Sequence, residues 1–176
     1  MESYEFLFKL NEYKTELSNC SLCGESDFDS FLKVCEGSVK LLILSDVPLE
    51  REQEGYVLLL NLIKSFAIPE EDYFISSIIK CKNVERTPEN FKKCRRHLAQ
   101  EFKLLKPKYI LLLGSGAHEA FFGTRPDGNK IRGRISSVNG FNIMTTCNPI
   151  IAADNINLKL MMHDDMEKIN NLLRQN

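Results

Sequence analysis

No run of apolar residues in this 176-residue chain approaches the ~18–20 needed to cross a bilayer, which excludes a transmembrane helix. The opening stretch, MESYEFLFKLNEYKTEL, has neither the basic start nor the cleavage site of a secretory signal, so the cytoplasm is the expected compartment. Internal repeats, low-complexity tracts and linker-like stretches are also missing, and one domain over residues 1–176 is the expectation. Nor is there a global charge excess, since 23 Lys and Arg stand against 24 Asp and Glu. With 43% hydrophobic residues, the chain is long enough to bury a real core.

The balanced total conceals a local asymmetry. Residues 80–108 carry ten Lys or Arg and three acids, an excess of seven. Arg125, Lys130, Arg132 and Arg134 form a second cluster opposed by Asp127 alone. A solvated lysine-rich helix face is the plain explanation. Positive charge concentrated in a nearly neutral chain points instead to a polyanionic partner.

The hydrophobic pattern predicts helices over 3–18, 52–66, 89–105, 115–122 and 164–173, and strands over 40–44, 73–79, 108–114 and 141–146. Thr87 and Pro88 supply the start of the clearest helix. Phe91, Cys94, Leu98, Phe102 and Leu105 recur along one of its faces. Continuous apolar strands alternating with helices imply an α/β fold, a four-stranded, mostly parallel sheet between helical layers. Ligands then bind beyond the carboxyl ends of the strands, in the loops 45–51, 77–88, 114–117 and 147–153. His97 and His118 read as surface residues, and His163 has no evident partner in the sequence.

Six cysteines in a reducing compartment are explained by metal or packing rather than by disulfides. Cys20 and Cys23 have metal-type spacing, and Cys81 and Cys94 could complete a set of four. Cys94 also lies on an apolar helix stripe, where a cysteine is an ordinary buried residue. Spacing alone admits zinc as readily as an iron–sulfur cluster.

The order of segments adds to this. A CxxC pair is followed by a strand running into a Pro-containing turn, Tyr73 to Cys81 ending in Lys-Cys, and a Thr-Pro helix start. Lys106 to Gly114, then Arg132-Gly133-Arg134, then Asn148-Pro149 come after it. From Cys20 onward the chain resembles the thermostable iron–sulfur branch of the uracil-DNA glycosylases. The resemblance implies a DNA-binding protein with a [4Fe–4S] cluster on Cys20, Cys23, Cys81 and Cys94, and a monomer is the expectation. Cys35 and Cys147 have no ligand counterpart and are expected to be packing or pocket residues.

The family flips a base out of DNA and hydrolyses its glycosidic bond, and four of its features are altered in this chain. Its Gly-Glu-x-Pro-Gly loop becomes Ser45-Asp46-Val47-Pro48-Leu49, which keeps the acid and proline but loses both glycines. Its base-stacking Phe segment has no room, leaving Tyr56 as the nearby aromatic. Its base-reading asparagine becomes Ser77, whose single hydroxyl cannot match a pyrimidine edge twice. Its histidine, which stabilises the leaving base, becomes Asn148, which can also serve as a turn cap. Asp46 and Asn148 are thus the catalytic candidates, with Ser45, Pro48, Tyr56 and Ser77 around the base.

The DNA-holding parts are kept. Gly114 and Ser115 open a helix whose N–H groups suit a phosphate, while Arg95, Arg96, Arg132 and Arg134 supply backbone contacts. The expected activity is base recognition or excision with weak or altered action on uracil. The competing expectations are a non-catalytic DNA-binding scaffold and, outside the resemblance, a zinc-stapled nucleotide-binding domain.

Overall fold

The computed structural model describes residues 3–23 and 37–175. Cys35 lies outside them. Strands β1 (Leu41–Ser45), β2 (Tyr73–Ser77), β3 (Tyr109–Leu113), β4 (Ile135–Val138) and β5 (Phe141–Thr146) form one sheet. The helices are α1 (Ser3–Ser18), α2 (Glu54–Ser65), α3 (Pro88–Leu105), α4 (Gly114–Phe122), α5 (Gly128–Ile131), α6 (Pro149–Ala152) and α7 (Ile156–Arg174). Among the described residues, no helix is long and apolar enough to cross a membrane.

The strand order is β2-β1-β3-β5-β4. The first four are mutually parallel, and β4 runs antiparallel along β5. Consecutive residues of a strand face opposite sides, so a strand covered twice is apolar throughout. In β1, Leu42 and Leu44 join Phe6, Tyr13, Leu98 and Leu112 under α1, α3 and α4. Leu41 and Ile43 join Leu59, Leu111, Met162 and Met166 under α2 and α7. This is the three-layer α/β sandwich expected from the pattern.

The sheet has five strands rather than four. β4 escapes the sequence pattern because it is a short exposed edge, with Ile135 44% accessible and no apolar run to mark it. The last helix begins at Ile156, not near residue 164, because Asn155 caps it by accepting from the Leu158 N–H at 3.2 Å. Its first turns expose Ile156 and Leu160, so no inward stripe announces them. A single turn, α5, lies between α4 and β4, where the sequence pattern assigns neither helix nor strand. The α3 start is as expected: Thr87 accepts from the Asn90 N–H at 3.2 Å, and Pro88 occupies the first turn.

One polar cluster lies inside the α1–α3 layer. The Lys80 ammonium sits 2.7 Å from Glu101 Oε2, with the two side chains 4% and 2% exposed. The other oxygen of Glu101 accepts from Tyr13 (3.1 Å) and Ser76 (2.8 Å). Lys80 also donates to Ser76 Oγ and to the Ser77 carbonyl. Burial, then the Glu101 charge, push the Tyr13 phenol far above its ordinary pKa, so it remains a donor. Lys80, counted above among the basic surface residues, is therefore interior. So is His97, which was expected at the surface.

Removing one partner of a buried ion pair leaves the other charge uncompensated, at a cost of about 3–5 kcal/mol. Glu101→Leu and Lys80→Met are each expected to destabilise the fold by that amount in urea unfolding. The double variant should lose clearly less than the two losses combined, whereas simple additivity would mean that the charges act independently.

Candidate functional site

The parallel strands deliver their carboxyl ends to one edge of the sheet, where the chain turns out of it. β1 presents Ser45 and Asp46, β2 presents Ser77, β3 runs into Gly114 and Ser115, and β5 into Cys147 and Asn148. Pairing of β1 with the segment after β2 extends past the strands: the Ile78 and Ile79 N–H groups donate to the carbonyls of Ser45 and Asp46, both at 2.9 Å. Ser45 Oγ donates to the carbonyls of Val47 and Ser76, fixing the turn towards the half-buried Pro48. Ser77 is buried, with its carbonyl held by Lys80.

Asn148 meets Gly114 across the edge. Gly114 has φ +89, and a Cβ there would stand 2.8 Å from Asn148 Cβ, so backbone and side chain touch only because the residue is glycine. Asn148 Oδ1 accepts from the Ile150 N–H at 2.9 Å and caps α6. The cap occupies the amide oxygen, and the NH2 is the end that can donate to a ligand. Immediately beyond, Ile150 and Ile151 are exposed apolar residues that the sequence pattern did not single out.

The Asp46 carboxylate turns the other way. Its Oδ2 would lie 2.8 Å from a Cβ on Gly116, in the first turn of α4, and pairs with Arg86 Nη1 at 3.2 Å. It lines a cavity of about 300 Å³ between α3 and α4, which Ser77 and Asn148 do not line. Tyr56, in the first turn of α2, is close enough to Tyr73 at the opposite end of β2 to help raise the Tyr73 pKa, behind burial and Glu70. Residues 49–53 are all that separates Pro48 from α2.

The arginines have different surroundings. Arg132 donates to both carboxylate oxygens of the fully buried Asp165, each at 2.9 Å, and to the Met161 carbonyl. Thr146 donates to the same carboxylate at 2.8 Å. Arg132 thus ties its loop to α7 rather than standing free at the surface. Gly133 (φ +65) follows where any Cβ would strike Asp165. Arg134 is exposed, as is Ser115. Arg96 pairs with Glu16 of α1 at 2.5 Å, whereas Arg95 lines the cavity beside Asp46.

Among the described residues no disulfide forms, and no three His, Cys, Asp or Glu side chains are gathered tightly enough to hold a single metal ion. The thiols at the end of α1, after β2 and on α3 are nonetheless neighbours. Burial, then the nearby Cys94 and Cys81, push the Cys23 thiol up to about 12. Cys20 Sγ lies 3.2 Å from His97 Nε2. Sulfurs that hinder one another's ionisation are sulfurs that a cation would relieve, and an all-thiol set suits zinc or iron–sulfur chemistry. Cys147 lies apart from them, half-buried beside Arg132 and Asp165.

His118 is half-buried rather than superficial: Nδ1 is 2.9 Å from Thr145 Oγ1, and its ring packs on Phe122. Burial lowers its pKa. His163 does have a partner, the Phe66 ring at 4.9 Å. Arg86, which meets Asp46 only through the folded chain, carried no local signal of its role.

The chain is similar to known proteins over most of its length. Residues 32–174 match the family model described as the uracil DNA glycosylase superfamily. The type-4 uracil-DNA glycosylase of Thermotoga maritima is 27% identical, over 90% of this chain and 92% of that protein. That of Sulfurisphaera tokodaii is 26% identical, over 93% and 84%. The enzyme of the same description from Pyrobaculum aerophilum is 30% identical over 61% of this chain and 60% of its own. With strand-end loops and a matched region spanning most of its length, the chain belongs to the uracil DNA glycosylase superfamily.

Proposed function

We propose that this single-domain protein is a monomer that binds DNA in the cytoplasm and acts on a base at its strand-end edge, with weak or altered action on uracil. The observation that carries this reading is Asn148: it stands at the end of β5, next to Gly114, with its amide oxygen committed to capping α6. A base extruded from the stack costs unpairing energy that the pocket must recover. In this pocket the Asn148 NH2 would donate to the oxygen that gains charge as the glycosidic bond breaks. Ser77 would offer one hydroxyl to the base edge, with Lys80 fixing its peptide. Ser45 and Pro48 would shape the wall, Tyr56 being the nearest aromatic on α2. Gly114, Ser115, Arg95 and Arg134 would meet the backbone, while Arg96 and Arg132 would act chiefly by bracing α1 and α7.

A second reading, a DNA-recognition module without chemistry, is favoured by Asp46. Its carboxylate is clasped by Arg86 and turned towards α4, into the cavity between α3 and α4, and away from the strand-end edge where Ser77 and Asn148 stand. Formation of abasic sites in uracil-containing DNA separates the two readings. The unmodified protein is expected to release uracil slowly or not at all. Asn148→His should raise any excision rate, towards the roughly 10²–10³-fold typical of one leaving-group donor, while losing about 1 kcal/mol of capping stability. Ser77→Asn should shift preference towards uracil with little change in rate. Efficient uracil release by the unmodified protein would refute the altered-pocket reading.

Cys20, Cys23, Cys81 and Cys94 would hold a [4Fe–4S] cluster, the all-thiol set and the crowding of Cys23 by Cys94 and Cys81 being the support for it. When bound, the group supplies a covalent staple joining the end of α1, the segment after β2 and α3, and it is redox-capable. Protein prepared without oxygen is expected to be brown and to contain about four iron atoms per chain. Cys94→Ser should lose iron and melt at lower temperature, whereas Cys147→Ser should keep its iron. Colourless protein with stoichiometric zinc would replace the cluster by zinc.

A further inference from the structure

The cavity between α3 and α4 has a lining that the strand-end chemistry leaves unused. Asp46 and Phe91 form its inner wall, Gly116 opens it at the start of α4, and Arg86, Arg95 and Glu119 stand around its mouth. Two guanidinium groups therefore face two carboxylates. Asp46 has only 8% of its side chain exposed, whereas Arg86 has 57%. At about 300 Å³ the space is at the small end of ligand sites, enough for one planar ring system.

We infer that this cavity binds a single unpaired guanine base of a DNA strand, a site distinct from the strand-end pocket and resting on the DNA-binding reading above. The lining argues against a phosphate, because an anion entering the cavity would meet the poorly solvated Asp46 carboxylate and then Glu119. A simple cation would meet Arg86 and Arg95. A neutral ligand with both donors and acceptors satisfies the wall, and the Phe91 ring offers a surface on which a base can stack.

Among the four DNA bases, guanine alone presents two adjacent acceptors, N7 and O6, beside two adjacent donors, N1–H and N2–H2. A guanidinium reads the first pair and a carboxylate the second. Adenine and thymine alternate donors and acceptors, and cytosine has a single donor group. In a duplex the N1 and N2 edge is occupied by cytosine, so the guest is a base of single-stranded or locally opened DNA. Arg95 at the mouth is exposed, as is Ser115 next to the lining Gly116, so the mouth opens on a surface that a strand can approach from solvent.

Equilibrium binding of short fluorescent oligothymidylates at low salt, each with one central base replaced, tests the site. The strand with guanine is expected to bind about tenfold more tightly than those with adenine, cytosine or hypoxanthine, the last lacking the N2 donor. In Arg95→Gln and in Phe91→Ala the guanine-to-thymine affinity ratio should fall to near one. Arg95 is exposed, so its variant keeps the test valid even if removal of the core-packed Phe91 unfolds the protein. Equal affinity for all strands would overturn the guanine site while sustaining DNA binding. A guanine preference that survives Arg95→Gln in the folded protein would place the preference elsewhere and also overturn it. No binding to any strand would overturn both this inference and the DNA-binding reading.

Discussion

The ion pair between Lys80 and Glu101 is the constraint on which the strand-end edge depends. Lys80 comes just after β2, Glu101 from the middle of α3, and Tyr13 from α1 joins them through the same carboxylate. Two charges removed from water must find one another with good geometry, because the desolvation they suffer is otherwise unrecovered. Their pairing therefore sets the position of α3 and α1 relative to the end of the sheet more narrowly than apolar contacts would. The same pair holds the carbonyl of Ser77, and its neighbours in sequence include Cys81 and His97. The end of β2 and the neighbouring thiols share one internal support.

Close approach governs the other half of the edge. The first turn of α4 can lie against Asn148 and Asp46 because Gly114 and Gly116 have no Cβ to strike them. This brings both side chains to α4 but leaves them facing different spaces. Asn148 caps α6 from the strand-end side, while Asp46 points between α3 and α4 and meets Arg86. A residue that serves as a cap gives up part of its hydrogen-bonding capacity, and a carboxylate bound to a guanidinium is less available to a water. Both arrangements leave these two side chains with fewer free hydrogen-bonding sites than the sequence suggests.

Charge, too, is distributed by the fold rather than by the local composition. Of the basic residues counted between 80 and 108, Lys80 is interior, Arg86 is engaged by Asp46 and Arg96 by Glu16. Arg132 of the second cluster is engaged by Asp165. Each pair consumes a cation that would otherwise strengthen nonspecific attraction to a polyanion. The exposed remainder, with Arg95 and Arg134 among it, is smaller and more localised than the sequence count suggests.

The layered α/β fold is legible in the residues alone, since apolar runs such as 41–44 and 109–113 can be buried only between two helical layers. So are the α3 start at Thr87-Pro88 and the placing of Ser45, Asp46, Ser77, Gly114 and Asn148 at strand ends, because local chemistry and periodicity suffice for these. Tertiary structure alone decided what each polar group faces. Lys80 and Glu101 are twenty-one positions apart, Arg86 and Asp46 forty, and Arg132 and Asp165 thirty-three. Nothing in a local window distinguishes a cation that will be buried against such a partner from one left in water. The short edge strand β4 was hidden for a related reason: exposed on its surface, it is held by the ladder to β5 and carries no apolar signature of its own.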